Sequence, residues 1–174
     1  MKCKICILAF LWPVMNVFAQ ENLETKADTL QVGDTLNVTR ITDVINHSDS
    51  LINLSEYKDR LVLLDFWATW CTSCYMALPK LDSLVQIFGD SLNIILISSK
   101  RNPDTEEKVR NRFSRLKATY GNDIRFPVAM RDTVISQFFN IESIPLYVWL
   151  LNGRIQAITQ LEPITTDLIR RMYH

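Results

Sequence analysis

The alternation of apolar and polar positions divides the chain into short strands and amphipathic helices. Residues 61–64 (Leu-Val-Leu-Leu) form an unbroken apolar run, which predicts a strand buried on both faces. Asp65 interrupts that run. Beyond Cys74, apolar residues recur at helical spacing (Met76, Ala77, Leu78, Leu81, Leu84, Val85, Phe88), and Gly89 supplies a stop. Pro79 lies inside this pattern and predicts a kink. Residues 92–97 read as a second buried strand. Asn102-Pro103 is expected to open another helix, with proline at its first position. The stripe of that helix is Val109, Phe113, Leu116 and Tyr120, and Gly121 ends it. Its basic residues fall mostly off the stripe and read as a solvated face.

The flanking segments carry weaker patterns. Scattered β-branched residues over 36–45, a polar turn over 47–50 and a short apolar run over 51–54 predict an N-terminal hairpin. A helical turn is expected over 55–58. Residues 126–130 read as a strand, and 132–139 as a short helix with Asp132 as its cap. Residues 146–151 form a strongly apolar strand. Asn152-Gly153 is the best hairpin turn in the sequence, and 154–159 should return antiparallel. Pro163 and Thr165 begin a last, short helix.

The first residues change the picture. Lys2 and Lys4 precede an apolar stretch over 5–18 that is short for a membrane span. With Val17-Phe18-Ala19 at its end, it reads as a signal peptide over 1–19, cleaved after Ala19. An uncleaved N-terminal anchor is the alternative. Residues 20–31 read as a flexible leader, and 32–174 as one globular domain. The whole chain carries 19 basic and 19 acidic residues. Loss of Lys2 and Lys4 would give 17 against 19, a net charge of −2. Nothing in that balance points to nucleic acid.

Cleavage would also remove Cys3 and Cys6, so Cys71 and Cys74 are the cysteines that matter. A bridge with two residues between its ends closes almost no loop and adds little stability. Chemistry explains the pair better than a structural role does. No cofactor is implied. Zinc is a poor fit, since a closed site needs four ligands and His47 and His174 are far away in sequence. A C-x-x-C where a strand hands over to a helix is a redox signature. The first cysteine would sit at the helix N-terminus, where unpaired N–H groups and the macrodipole favour a thiolate. Cys71 is expected to be the exposed member of the pair. Asp65 lies in an apolar strand, where a carboxylate is costly unless paired or protonated. Its pKa should be raised.

Strand, C-x-x-C, helix with Pro79, then Ile144-Pro145 before an apolar strand and Asn152-Gly153: this set resembles a thioredoxin fold over most of 32–171. It is most similar to exported thioredoxin-like thiol–disulfide oxidoreductases of the TlpA and ResA type. The hairpin ahead of the core, the wording Phe66-Trp67-Ala68-Thr69-Trp70-Cys71 and the extra chain over 102–130 carry that likeness. The fold class implied is α/β: a central mixed sheet flanked by helices, with an N-terminal β-hairpin and an inserted helical segment.

The resemblance implies roles. Cys71 would attack, Cys74 would resolve, and Asp65 would move protons for the resolving thiol. Pro145 would be the cis-proline whose loop faces the disulfide, with Ile144 beside it and Trp70 next to the first cysteine as substrate contacts. The implied partners are exported proteins with cysteine pairs and a membrane thiol–disulfide electron donor. Two positions depart from the pattern. Ser73 stands where proline is common before the second cysteine, and Leu146 stands where threonine is frequent after the cis-proline. The dipeptide between the cysteines helps set the reduction potential, which therefore does not carry over. Two rivals are a peroxiredoxin-type peroxidase, whose P-x-x-x-T-x-x-C pattern is absent, and a non-enzymatic thiol metal carrier.

Overall fold

The computed structural model describes residues 29–121, 123–160 and 162–173. The expected signal peptide and most of the expected leader lie outside the described residues.

Six strands form the main sheet, in the order β2 (Val44–Ile45), β6 (Val128–Asp132), β5 (Leu92–Ser99), β4 (Leu61–Phe66), β7 (Leu146–Leu151) and β8 (Arg154–Thr159). At its centre is β4 (Leu61–Phe66), buried at every residue as its apolar run predicts. It pairs in parallel with β5 (Leu92–Ser99) and antiparallel with β7 (Leu146–Leu151). β6 (Val128–Asp132) continues the parallel side, and β8 (Arg154–Thr159) returns from β7 through Asn152-Gly153. Both turn residues have positive φ, at 53° and 77°. An Asn-Gly pair tolerates that geometry, which suits the twist of the flanking strands.

The expected N-terminal hairpin forms: β1 (Arg40–Thr42) pairs antiparallel with β3 (Leu51–Asn53). β2 (Val44–Ile45) leaves that hairpin and joins the main sheet against β6. Two apolar clusters cover the sheet. Helices α1 (Thr72–Phe88), α2 (Glu106–Tyr120) and α3 (Thr166–Arg171) all contribute to one, with Leu61, Leu63 and Trp149 of the sheet. The other is built from Val62, Leu64 and Phe66 against the N-terminal segment, Ile135 and Phe139. This split follows from the period of two along a strand.

Several boundaries differ from expectation. α2 begins at Glu106 and not at Pro103, because the Thr105 hydroxyl caps it by accepting the Lys108 N–H. Tyr120, at the end of its stripe, is exposed. Gly121 closes the helix in the left-handed region and donates its N–H to the Lys117 carbonyl. On α1, Met76 points outward. The strand expected from residue 126 starts at Val128. The helix expected over 132–139 shrinks to one 3-10 turn, Ser136–Phe138. The cause is Asp132, whose carboxylate accepts the N–H groups of Val134, Ile135 and Ser136 and the Ser136 hydroxyl. It holds a compact turn in place of a propagating helix.

Candidate active site

The turn from β4 into α1 carries the two cysteines. Cys71 is the N-cap of α1, with extended backbone, and its sulfur accepts the Cys74 N–H at 3.2 Å. Cys71 and Cys74 are joined by a disulfide, as their spacing allows. The Ser73 hydroxyl lies 3.4 Å from the Cys71 sulfur, so the first turn offers it two donors. Both favour a negative charge there once the bond is reduced. The Ile144 carbonyl lies 3.8 Å from the same sulfur. Ile144-Pro145 is a cis peptide in the loop before β7.

Exposure differs from expectation. Cys71 is 5 % exposed and Cys74 is fully buried. The order is as expected, but Cys71 is not an open residue: bonded to Cys74 and faced by Ile144, its sulfur has little free surface. Trp70 is the exposed neighbour, at 57 %. Trp67 and Phe66 are core residues, packed edge-on against Phe113 and Phe139.

Asp65 is fully buried, and neither carboxylate oxygen has a hydrogen-bond partner among the described residues. By alternation it shares the sheet face of Leu61 and Leu63, the face that carries Cys71, Cys74 and α1. Its lateral neighbours in register are Leu96 and Tyr147. Neither brings a positive charge, and burial pushes the Asp65 pKa up to about 8. The Tyr147 hydroxyl is raised as well, by burial first and by the Asp65 charge second.

Beside the disulfide opens a cavity of about 720 Å3. Trp70, Ile144, Phe66, Phe139, Lys100 and Arg101 are among the residues that line it. A bulge in β6 sets Met130 and Arg131 opposite the single Ser98, and Asp132 and Ser136 of the turn beyond it also line the cavity. The structure thus brings the Cys71–Cys74 bond and the Ile144-Pro145 step together, with Trp70 and Ile144 also lining the cavity and Asp65 buried on the face of α1.

Sequence reasoning missed three residues. Asn102, Asp104 and Arg112 reach back to the loop that precedes Cys71. Arg112 is thereby an exception to the solvated face assigned to the basic residues of α2. Proline next to Asn102 and a helical charge pattern were their only local signals, and neither reports a long-range partner.

The fold and the cysteine pair define a thioredoxin-like protein with a redox dithiol. The chain belongs to the Thioredoxin-like family, whose family model matches residues 59–153. It is 31% identical over 107 residues to the thioredoxin-like protein YneN of Bacillus subtilis, covering 61% of this chain and 59% of that one. It is 24% identical over 158 residues to the thiol-disulfide oxidoreductase ResA of Geobacillus kaustophilus, covering 89% and 84%. The thioredoxin domain of a thiol-disulfide oxidoreductase from Bacteroides vulgatus superposes with a TM-score of 0.64 at 18% identity, over 84% of this chain and all of that one. Other curated relatives are spanned for about half their length, 48% in two of them. The structural likeness supports the thioredoxin-like fold.

Proposed function

We propose that this protein is an exported thiol–disulfide oxidoreductase that reduces disulfides of other exported proteins. The observation that carries the reading is the Cys71–Cys74 disulfide at the N-terminus of α1, beside an open cavity and on the same face as an unpaired buried carboxylate.

The chemistry follows from those groups. In the reduced protein the Cys71 thiolate attacks one sulfur of a substrate disulfide. A mixed disulfide forms, and the other substrate sulfur leaves as a thiolate. Cys74 then gives its proton to Asp65 and attacks the Cys71 sulfur. The Cys71–Cys74 bond forms and the second substrate sulfur leaves. Two electrons pass from the protein to the substrate, which departs as a dithiol. With a pKa near 8, Asp65 is ionised in a minority of molecules at neutral pH; those accept the Cys74 proton, and their share grows as pH rises towards 8. Trp70 and the Ile144-Pro145 loop hold the substrate chain over the sulfur.

Export is supported by the N-terminal pattern over 1–19. An exported dithiol is not re-reduced by an oxidising compartment, so the cycle needs a membrane thiol–disulfide electron donor. Substrates are exported proteins with cysteine pairs, apocytochromes among them.

The direction is tested by the reduction potential of the pair in a redox buffer. A reductase should lie near about −270 mV, the value typical of thioredoxin, and a value near about −120 mV would make the protein an oxidant instead.

A further inference from the structure

Residues 67–71 carry Cys71 but belong to no strand or helix. Several of their backbone polar groups are nonetheless met by long-range partners, from β5, from the connection after it and from α2. The Trp67 N–H donates to the Ile97 carbonyl at 3.1 Å, and Asn102 Nδ2 donates to the Trp67 carbonyl at 3.1 Å. The Cys71 N–H closes a turn on the Ala68 carbonyl. The Thr69 N–H lies 3.1 and 3.3 Å from the two Asp104 oxygens, and its hydroxyl donates to Asp104 Oδ1 at 2.5 Å. Asp104 is buried and takes a further bond from the Ser98 hydroxyl at 2.7 Å. On the other side of the same residue, Arg112 Nε donates to the Thr69 carbonyl at 2.7 Å. The Arg112 guanidinium also lies 5.0 Å from the centre of the Tyr75 ring. It therefore spans from two residues before Cys71 to one residue after Cys74.

We propose that Arg112 is a positioning residue for the exchange reaction: anchored on Thr69 and Tyr75, it fixes the loop that carries Cys71 and keeps a cation beside the dithiol. The inference rests on Cys71 being the attacking thiolate. Its physical content is a comparison of the groups around that sulfur. From α1 come the Cys74 N–H and the Ser73 hydroxyl. The loop before β7 brings the Ile144 carbonyl, which opposes a negative charge. β4 and β7 bring Asp65 and Tyr147, and Asp65 opposes the thiolate whenever it is ionised. Lys100 and Arg101 line the cavity. Arg112 alone among these cations is tied by a side-chain hydrogen bond to the 67–71 loop. A guanidinium suits the place because its planar fork can bond a carbonyl and stack on a ring at once, which an ammonium cannot.

The test separates the charge from the scaffold. Arg112→Gln keeps a donor for the Thr69 carbonyl and loses the charge; Arg112→Lys keeps the charge and loses the stacking fork. Each reduced protein is alkylated across pH, and the modified cysteine is identified by mass spectrometry. Arg112→Gln should move the Cys71 alkylation midpoint upward by up to about one pH unit. Its disulfide-reducing turnover should fall several-fold at neutral pH and recover above the new midpoint. Arg112→Lys should fall between it and the wild type. A folded Arg112→Gln protein with the wild-type midpoint and wild-type turnover overturns the inference. Should Arg112→Gln not fold, Arg112→Lys decides: slowed alkylation at neutral pH supports the inference, and wild-type alkylation with wild-type turnover overturns it. If Cys74 of the wild-type protein alkylates before Cys71, the reading of Cys71 as nucleophile falls, and this inference with it.

Discussion

Asp65 stands directly opposite Tyr147 across the antiparallel β4–β7 pair, with its carboxylate buried and unpaired and no cation in register on either side. A buried carboxylate without a partner is an expense to the fold that packing alone does not explain. Its position on the face of α1 and the dithiol does explain it, if the group works as a proton acceptor.

That arrangement makes stability depend on pH in a definite direction. The folded-state pKa of Asp65 is raised to about 8 from 3.8. Between those values the folded protein holds a proton that the unfolded chain has released, so stability falls as pH rises from about 4 towards 8. Below the unfolded pKa both states are protonated and the penalty vanishes. Asp65→Asn, measured with the disulfide intact, should lose that slope. It should gain stability over the wild type by an amount that grows across the window, on the order of 1 kcal/mol or more at its alkaline end. Urea titrations of both proteins at several pH values check this.

The same substitution should slow catalysis at one step. Asn cannot take the Cys74 proton, so attack by Cys71 on substrate should proceed while release from the mixed disulfide lags. Single-turnover traces at neutral pH should show fast formation of the mixed species and decay slowed by roughly 10²-fold, within the range of general base catalysis. The deficit should shrink as alkaline pH ionises Cys74 directly. Traces that match the wild type across neutral pH would remove Asp65 from the mechanism.

Trp70 is a large, exposed aromatic that also lines the cavity, and a half-exposed indole beside a cavity fits a binding contact better than a core role. Trp70→Ala should raise KM for a protein disulfide roughly three- to thirtyfold, the effect of truncating an aromatic contact residue. The kcat, and the rate with a small disulfide that does not fill the cavity, should change little. Steady-state kinetics with the two substrates distinguish these outcomes.

Much of this architecture is legible in the sequence, because its signals are local. The apolar run of β4, the helical spacing of α1, the Asn152-Gly153 turn and the cysteine spacing each depend on neighbouring residues alone. Asp65 stands out for the same reason, as a charge inside an apolar run. What escaped the sequence depends on contacts between distant segments. β2 leaves its hairpin because β6 offers a free edge, which no local pattern announces. α2 starts late because the Thr105 cap competes with the proline before it. Asp104 and Arg112 bond to Thr69 across 35 and 43 residues of chain, so their charges look like ordinary surface charges until the fold is known. Part of the cover of Cys71 likewise comes from Ile144, on a loop 73 residues away.

The division of labour between the cysteines is tested most directly by trapping. Cys74→Ser keeps the attacking thiolate and deletes only the group that resolves the mixed disulfide. Expressed with export intact, it should accumulate mixed disulfides with exported proteins, seen as slow bands on a non-reducing gel that vanish on adding reductant. Cys71→Ser should trap almost nothing. Trapping by Cys71→Ser and not by Cys74→Ser would reverse the two roles, and no trapping by either would contradict disulfide exchange as the function of this protein.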